Sequence, residues 1–181
     1  MLDKLIDILV AFWEQVNPFV IIDYYEAGIH MRLGRKIRDM DIGFHFVPLK
    51  LLFIDKVLTV HTKKDTFHVS NVNVTTTDSK TVSVGAIIEY EVVDPTLYLI
   101  ETNDAMSNMH DIARGVIADY LTDCTWEEIK QKPTLTKIKN RMKPQFQDMG
   151  VSIKQILFGD IAQSRTFTIF KDNSTTTLKS R

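Results

Sequence analysis

The chain has 181 residues, and its 22 Lys and Arg nearly balance its 23 Asp and Glu. This length allows one domain with a hydrophobic core. The near-zero net charge gives no overall attraction to nucleic acid, so no nucleic-acid partner is expected. The single cysteine, Cys124, excludes an intramolecular disulfide. Charged residues interrupt every apolar run before it reaches the length of a transmembrane helix, so the sequence predicts no such helix.

Residues 2–16 are predicted to form an amphipathic helix. At about 100° per residue, the charges of Asp3, Asp7 and Glu14 fall on one side. The Asn17-Pro18 pair ends the helix, because proline lacks a backbone donor and restricts the residue before it. The apolar side contains the candidate membrane-binding residues, which are Leu2, Leu5, Ile6, Leu9, Phe12, Trp13 and Val16.

A helix that lies in the membrane interface explains this segment best, with Phe12 and Trp13 at interfacial depth. A signal peptide is disfavoured because acidic residues interrupt the apolar stretch and no small-residue cleavage site follows. A spanning helix is disfavoured because Asp7 and Glu14 would each cost about 2.5–3.5 kcal/mol near the bilayer centre. A helix docked on the protein's own core remains the alternative. The polar side is acidic and gains nothing from anionic lipid, so buried apolar area must provide the binding energy.

Residues 19–61 show β patterns. Phe19–Ile22 is a β-branched run, and Glu26–Gly28 is predicted to be a turn before a strand that alternates up to Gly34. A second turn at 41–43 precedes a short strand ending at Pro48. The stretch 51–61 is predicted to be extended.

The β pattern continues to residue 92. Its alternation slips between Val69 and Val72, which predicts a β-bulge, and a hairpin turn is predicted at 78–80. The strand that follows has the clearest period of two in the sequence. The residues predicted to face the core are Val82, Val84, Ala86, Ile88, Tyr90 and Val92.

The period becomes helical after Asp94-Pro95, where Asp94 is a predicted N-cap. Asp104 is expected to cap a helix with an apolar stripe from Met106 to Leu121. The pair of Thr125 and Glu128 predicts a capping box.

A further helix is predicted from Pro133 to Met149, with a kink at Pro144 and a stop at Gly150. Strands, then helices, then a last strand over Val151–Ile161 indicate an α+β fold. The remaining residues, 162–181, form a Ser/Thr-rich tail. Within it, residues 164–181 are predicted to be largely disordered except for 166–170. Two aromatic side chains there have no partner within the tail, so the segment is a candidate oligomer contact. The residues concerned are Phe167, Ile169 and Phe170.

No pattern predicts catalysis, a cofactor or a metal. The glycines form neither a P-loop nor a dinucleotide-binding array. His110 and Cys124 would lie about 21 Å apart along a helix, which is too far for a nucleophile and its base. The histidines of the β half lack ligand-like spacing and a nearby cysteine, and they are His30, His45, His61 and His68.

Six short motifs in order resemble the domain shared by stomatins, prohibitins and flotillins, the SPFH or Band 7 superfamily. Together they cover residues 20–161, and Ile42 stands where the family usually has proline. The motifs are Glu26-Ala27-Gly28 with Leu33-Gly34, Gly43-Phe44-His45-Phe46 with Pro48, Thr77–Val84, Tyr90–Pro95, the helix with Arg114, Ile117 and Leu121, and Gly150–Ile153.

The resemblance implies a mostly antiparallel, strongly curved β-sheet head with flanking helices over residues 19–161. Residues 1–18 would attach this head to the membrane. It also implies a non-enzymatic, peripheral or monotopic membrane scaffold with its head on the cytoplasmic side. Such a scaffold forms a homo-oligomeric ring or cage and organises lipids or membrane proteins such as a membrane protease.

Most members of this superfamily continue into a long coiled coil, which this sequence lacks, so it is either a truncated or a minimal member. The functional alternative is a soluble adaptor or inhibitor module that binds one membrane-protein partner, such as a membrane protease.

Overall fold

A computed structural model describes residues 4, 6, 7, 10 and 17–164. The strands in this part of the chain are β1 (Phe19–Ile22), β2 (Glu26–Arg32), β3 (Arg35–Met40), β4 (Gly43–Phe46), β5 (Asp55–His61), β6 (Asp65–Thr75), β7 (Thr81–Val92) and β8 (Val151–Ser164). The helices are α1 (Ala105–Thr122), α2 (Trp126–Ile129) and α3 (Lys132–Asp148), with a 3₁₀ turn at Pro48–Leu52 and a π-helical turn at Leu97–Glu101.

The strands form three antiparallel sheets in the orders β1-β4, β3-β2-β5 and β6-β7-β8. The first two sheets belong to the N-terminal region, residues 17–61. The third sheet and the three α-helices belong to the C-terminal region, residues 65–164. The predicted α+β class and antiparallel pairing are confirmed, whereas strong curvature stays a prediction.

The main core lies between the third sheet and helices α1 and α3. All six residues of β7 that were predicted to face the core are buried. They pack against the inner sides of the helices, where Met109, Ile117, Met142 and Phe146 are fully buried. The predicted bulge of β6 is confirmed by a register shift between Val69 and Val72.

Side-chain caps fix the helix ends as the sequence predicts. Asp104 accepts a hydrogen bond from the backbone N–H of Ser107 at 3.3 Å, and the capping box of Thr125 and Glu128 is present. Gly150 follows α3 with φ of 74°, a conformation that favours glycine, and a Cβ there would collide with the carbonyl oxygen of Asp94.

The N-terminal region has a much smaller core, made of Ile22, Met40 and Val47. Here β1 lies so close to β2 that a Cβ on Gly28 would stand 2.7 Å from Cδ1 of Ile22 and 3.3 Å from Cβ of Met40. Glycine at position 28 therefore allows the two sheets of this region to pack together.

Two sequence predictions for this region are wrong. Residues Glu26–Gly28 begin β2 rather than forming a turn. The turn precedes β2, where the N–H of Glu26 donates to the carbonyl oxygen of Asp23 at 2.9 Å. The glycine indicates close packing rather than chain reversal. The stretch 51–61 is extended only from Asp55 onward. Strand β3 escaped prediction because all but its last residue are exposed, so it has no alternating apolar pattern.

Candidate functional site

The outer side of the β1-β4 sheet is entirely apolar. Phe19 pairs with Phe46 and Ile21 pairs with Phe44 across the two strands. The four side chains are 48% to 67% exposed. The ring of Phe19 stacks on that of Phe44 at 5.3 Å between centroids and lies 5.5 Å from that of Phe46. We call these four residues the aromatic face.

Strand alternation creates this face. Because successive side chains point to opposite sides of a strand, Val20 and Ile22 turn inward against the small core while Phe19 and Ile21 turn outward. A contiguous exposed patch of large apolar side chains is typical of a surface that contacts a protein or a membrane. The sequence signal for this face is Phe44-His45-Phe46, and the sequence analysis missed it. The signal can be interpreted only when β1 is known to pair with β4, because that pairing places both rings beside Phe19.

The aromatic face lies where the predicted N-terminal helix ends. The backbone N–H of Val47, which follows β4, donates to the oxygen of Pro18 at 2.8 Å. Asn17 caps the start of β1 by accepting from the N–H of Phe19 at 3.0 Å. Residues 17–18 are thus fixed to the sheet beside the aromatic face, at the end of the predicted helix over residues 2–16.

Two further exposed apolar residues adopt left-handed backbone conformations. Leu33 has φ of 46° and Phe53 has φ of 57°, and their side chains are 78% and 66% exposed. The two sites are adjacent, because the N–H of Leu33 donates to the oxygen of Ile54 at 2.9 Å. A left-handed conformation is unfavourable for a branched or bulky residue. Leu33 and Phe53 therefore have an unfavourable backbone conformation although their side chains make few packing contacts with the protein.

A buried ionic cluster supports this end of the N-terminal region. The carboxylate of Asp55, only 1% exposed, receives a bidentate pair from Arg32 at 2.7 and 3.1 Å. Nε2 of His30 lies 3.0 Å from the same carboxylate. The hydrogen bonds from Arg32 hold the pKa of Asp55 below its ordinary value, against the opposing effect of burial, and His30 adds to the lowering. The cluster joins β2 to the start of β5.

Of the seven predicted membrane-binding residues, only Ile6 lies among the described residues. Ile6 is helical and 52% exposed, and the neighbouring Lys4, Asp7 and Val10 are also helical and exposed. The other six candidates, and the tail residues Phe167, Ile169 and Phe170, lie outside the described residues. None of the helices described is both long and apolar enough to cross a membrane.

The sequence predicted no catalytic or metal site. Over the described residues, no three His, Cys, Asp or Glu side chains are grouped so that they could hold a metal ion. Cys124 is buried beside Tyr120, and this burial raises the pKa of its thiol. Such a thiol is a poor nucleophile, because the thiolate is the reactive form.

The described residues thus form an α+β domain whose N-terminal region presents an exposed apolar surface. The model of the SPFH domain / Band 7 family matches residues 20–170. The chain therefore belongs to the SPFH domain / Band 7 family.

Several curated proteins resemble the chain. It is 27% identical to protein HflK of Vibrio cholerae over 157 residues, 83% of this chain and 38% of HflK. It is 32% identical to Stomatin-3 of Caenorhabditis elegans over 101 residues, 56% of this chain and 38% of that protein. An uncharacterized protein of Archaeoglobus fulgidus is 25% identical over 119 residues, 66% of this chain and 47% of its own. The chain thus spans less than half the length of these three relatives.

Proposed function

We propose that the chain is a non-enzymatic membrane scaffold that rests on the cytoplasmic side of a bilayer and organises lipids or membrane proteins. The carrying observation is the aromatic face, which presents four large apolar side chains beside the end of the predicted N-terminal helix. Family membership supports the proposal, because the resemblance implies membrane attachment. In this proposal residues 1–18 attach the chain and 19–161 form the head. The tail was predicted to begin at residue 162, but β8 continues to Ser164, so the first three of those residues belong to the third sheet.

The aromatic face adds to the apolar area of the predicted helix over residues 2–16. Full burial of a phenyl ring is worth about 1.5–3 kcal/mol. Aromatic side chains are well suited to the membrane interface, and apolar area rather than charge must drive attachment of an acidic helix. The helix and the aromatic face act as two linked contacts, so each raises the effective concentration of the other at the bilayer.

Liposome flotation tests the attachment. Flotation of Leu9→Glu/Trp13→Glu and of Phe44→Ser/Phe46→Ser is compared with that of the unchanged chain. Each double variant should lose at least about tenfold in membrane binding, since either contact contributes more than 1.4 kcal/mol. Val93→Ser is the matched control, because Val93 is 65% exposed in the C-terminal region. If neither double variant binds more weakly than the control, the attachment proposal is wrong.

Self-association is the second part of the proposal. A single in-plane helix binds reversibly, whereas copies linked in a ring or cage bind by avidity. The segment 166–170 is proposed to dock on a neighbouring copy by strand addition, and β6 and β8 are the outer strands of the third sheet. Removal of residues 164–181 should then reduce the oligomer size measured by mass photometry in mild detergent. A full-length chain that stays monomeric on a lipid surface would favour the soluble adaptor that binds one membrane protein.

A further inference from the structure

An open depression lies between the 3₁₀ turn and the start of β5. It has a volume of about 330 Å³ and is lined by Lys50, Phe53, Asp55, Lys56 and Val57. Lys56 is exposed and Lys50 is half-buried. The lining of the depression therefore includes two lysines and one exposed aromatic residue.

The charges of the depression favour an anion. Arg32 occupies both carboxylate oxygens of Asp55, so the one acidic lining residue is neutralised. Neither Lys50 nor Lys56 forms a salt bridge among the described residues. The lining thus contains two lysines and one carboxylate, and that carboxylate is already paired with Arg32. This local excess contrasts with the formal net charge of −1 for the chain.

Three exposed residues at or beside the depression are apolar. Phe53 lines it, Leu52 precedes Phe53 with 60% of its side chain exposed, and Leu33 lies across the hydrogen bond to Ile54. A ligand that satisfies both parts of this surface needs an anionic group next to hydrocarbon. Phospholipids have this chemistry, since the headgroup phosphate lies directly above the acyl chains.

The depression is also close to the aromatic face along the chain. Phe46 ends β4, and the 3₁₀ turn begins two residues later at Pro48. A turn of this kind rises about 2 Å per residue, so its five residues span about 10 Å. Lys50 lies within this turn, so the depression begins a few residues after the aromatic face.

We propose that this depression binds the phosphate of an anionic phospholipid headgroup and gives the scaffold a preference for anionic membranes. The proposal rests on the membrane attachment proposed above. It also supplies what the N-terminal helix lacks, because the acidic side of that helix gains nothing from anionic lipid. The apolar contacts provide attachment to any bilayer, and the two lysines select the lipid class.

The test compares vesicles of phosphatidylcholine alone with vesicles that also contain phosphatidylserine. Lys50→Gln/Lys56→Gln should bind the anionic vesicles about 25-fold more weakly than the unchanged chain, because each lysine near an anionic surface contributes about fivefold. Binding to pure phosphatidylcholine should not change. Lys64→Gln/Lys143→Gln removes the same charge from exposed lysines elsewhere and should bind like the unchanged chain.

The outcomes separate the two proposals. If the unchanged chain binds neither kind of vesicle, membrane attachment itself is wrong. If it binds both kinds equally, or if the control variant loses as much as Lys50→Gln/Lys56→Gln, the headgroup site is wrong while attachment stands. Inorganic phosphate provides a further arm. Saturable binding of phosphate without any preference between vesicles would assign the depression to a free anion and overturn the lipid assignment.

Discussion

The two regions of the molecule use apolar residues in opposite ways. The C-terminal region buries them in one large cluster between a sheet and two helices. The N-terminal region buries four apolar side chains, those of Ile22, Ile29, Met40 and Val47, and exposes ten large ones. Among described residues after position 53, only Val93, Leu157 and Ile161 are exposed large hydrophobics. One region thus provides stability and the other provides a surface.

The regions are joined by few but specific contacts. Val60 of β5 packs against the main core, and Nζ of Lys36 on β3 donates to Oγ1 of Thr96. A stable platform that carries a small apolar region can lose part of that region's surface without unfolding. The comparison therefore predicts that equivalent substitutions will affect stability in one region and binding in the other.

The largest expected effect comes from the main core. Phe146→Ala should lower the free energy of unfolding by about 3–5 kcal/mol, because the ring is fully buried. Phe44→Ala removes the same ring from the aromatic face and should cost less than about 1 kcal/mol. Thermal and urea unfolding measure both. Equal losses for the two variants would remove the distinction between a stabilising and a binding region.

The ionic cluster of the N-terminal region should give the next largest effect. Asp55→Asn should lower the free energy of unfolding by about 1.5–3 kcal/mol, because it removes charged hydrogen bonds at a buried carboxylate. The pKa of Asp55 in the folded state is below its ordinary value of 3.8. Its stabilisation is therefore fully present above pH 3.8 and is lost as the pH falls through the folded pKa.

Urea unfolding as a function of pH checks the sign of this effect. The difference between the unchanged chain and Asp55→Asn should be constant from neutral pH down to the ordinary pKa and should shrink below it. A difference that grows on acidification would mean that Asp55 is destabilised in the folded protein.

A smaller effect is expected at the junction of the two N-terminal sheets. Gly28→Ala should cost about 1–2 kcal/mol, because the added methyl group must displace Ile22 and Met40. Gly115→Ala is the control. Gly115 lies inside α1 with no atom in the way of a Cβ, so the substitution should raise the free energy of unfolding by about 0.5–1 kcal/mol. Unfolding curves of the two variants should shift in opposite directions.

The smallest effect should have the opposite sign for stability and binding. Phe53→Gly relieves the left-handed backbone at an exposed position and should raise the free energy of unfolding by about 0.5–1 kcal/mol. It should also weaken binding to anionic vesicles, because the ring lines the proposed headgroup site. A variant that is less stable would show that Phe53 serves packing.

Local patterns in the sequence predicted the C-terminal region well. The alternation of β7, the bulge of β6 and the caps at Asp104 and Thr125 depend on neighbours within a few residues, and all are confirmed. Gly150 ends α3 as predicted for the same reason.

The candidate site was harder to predict, because its parts come together through long-range pairing. The aromatic face needs β1 beside β4, and the ionic cluster needs Arg32 beside Asp55 across β2 and β5. Short strands with exposed side chains carry no period that reveals their partners. Strand β3 and the role of Gly28 escaped prediction for the same reason.

The solitary, buried Cys124 makes the molecule easy to label at one chosen place. Because burial keeps its thiol protonated and enclosed, a cysteine introduced at an exposed position reacts far faster with maleimide reagents. An environment-sensitive fluorophore at position 44 would report the polarity around the aromatic face. A fluorophore at position 93 would report the polarity at an exposed site of the C-terminal region. The native chain thus needs no cysteine-free background for spectroscopic depth measurements.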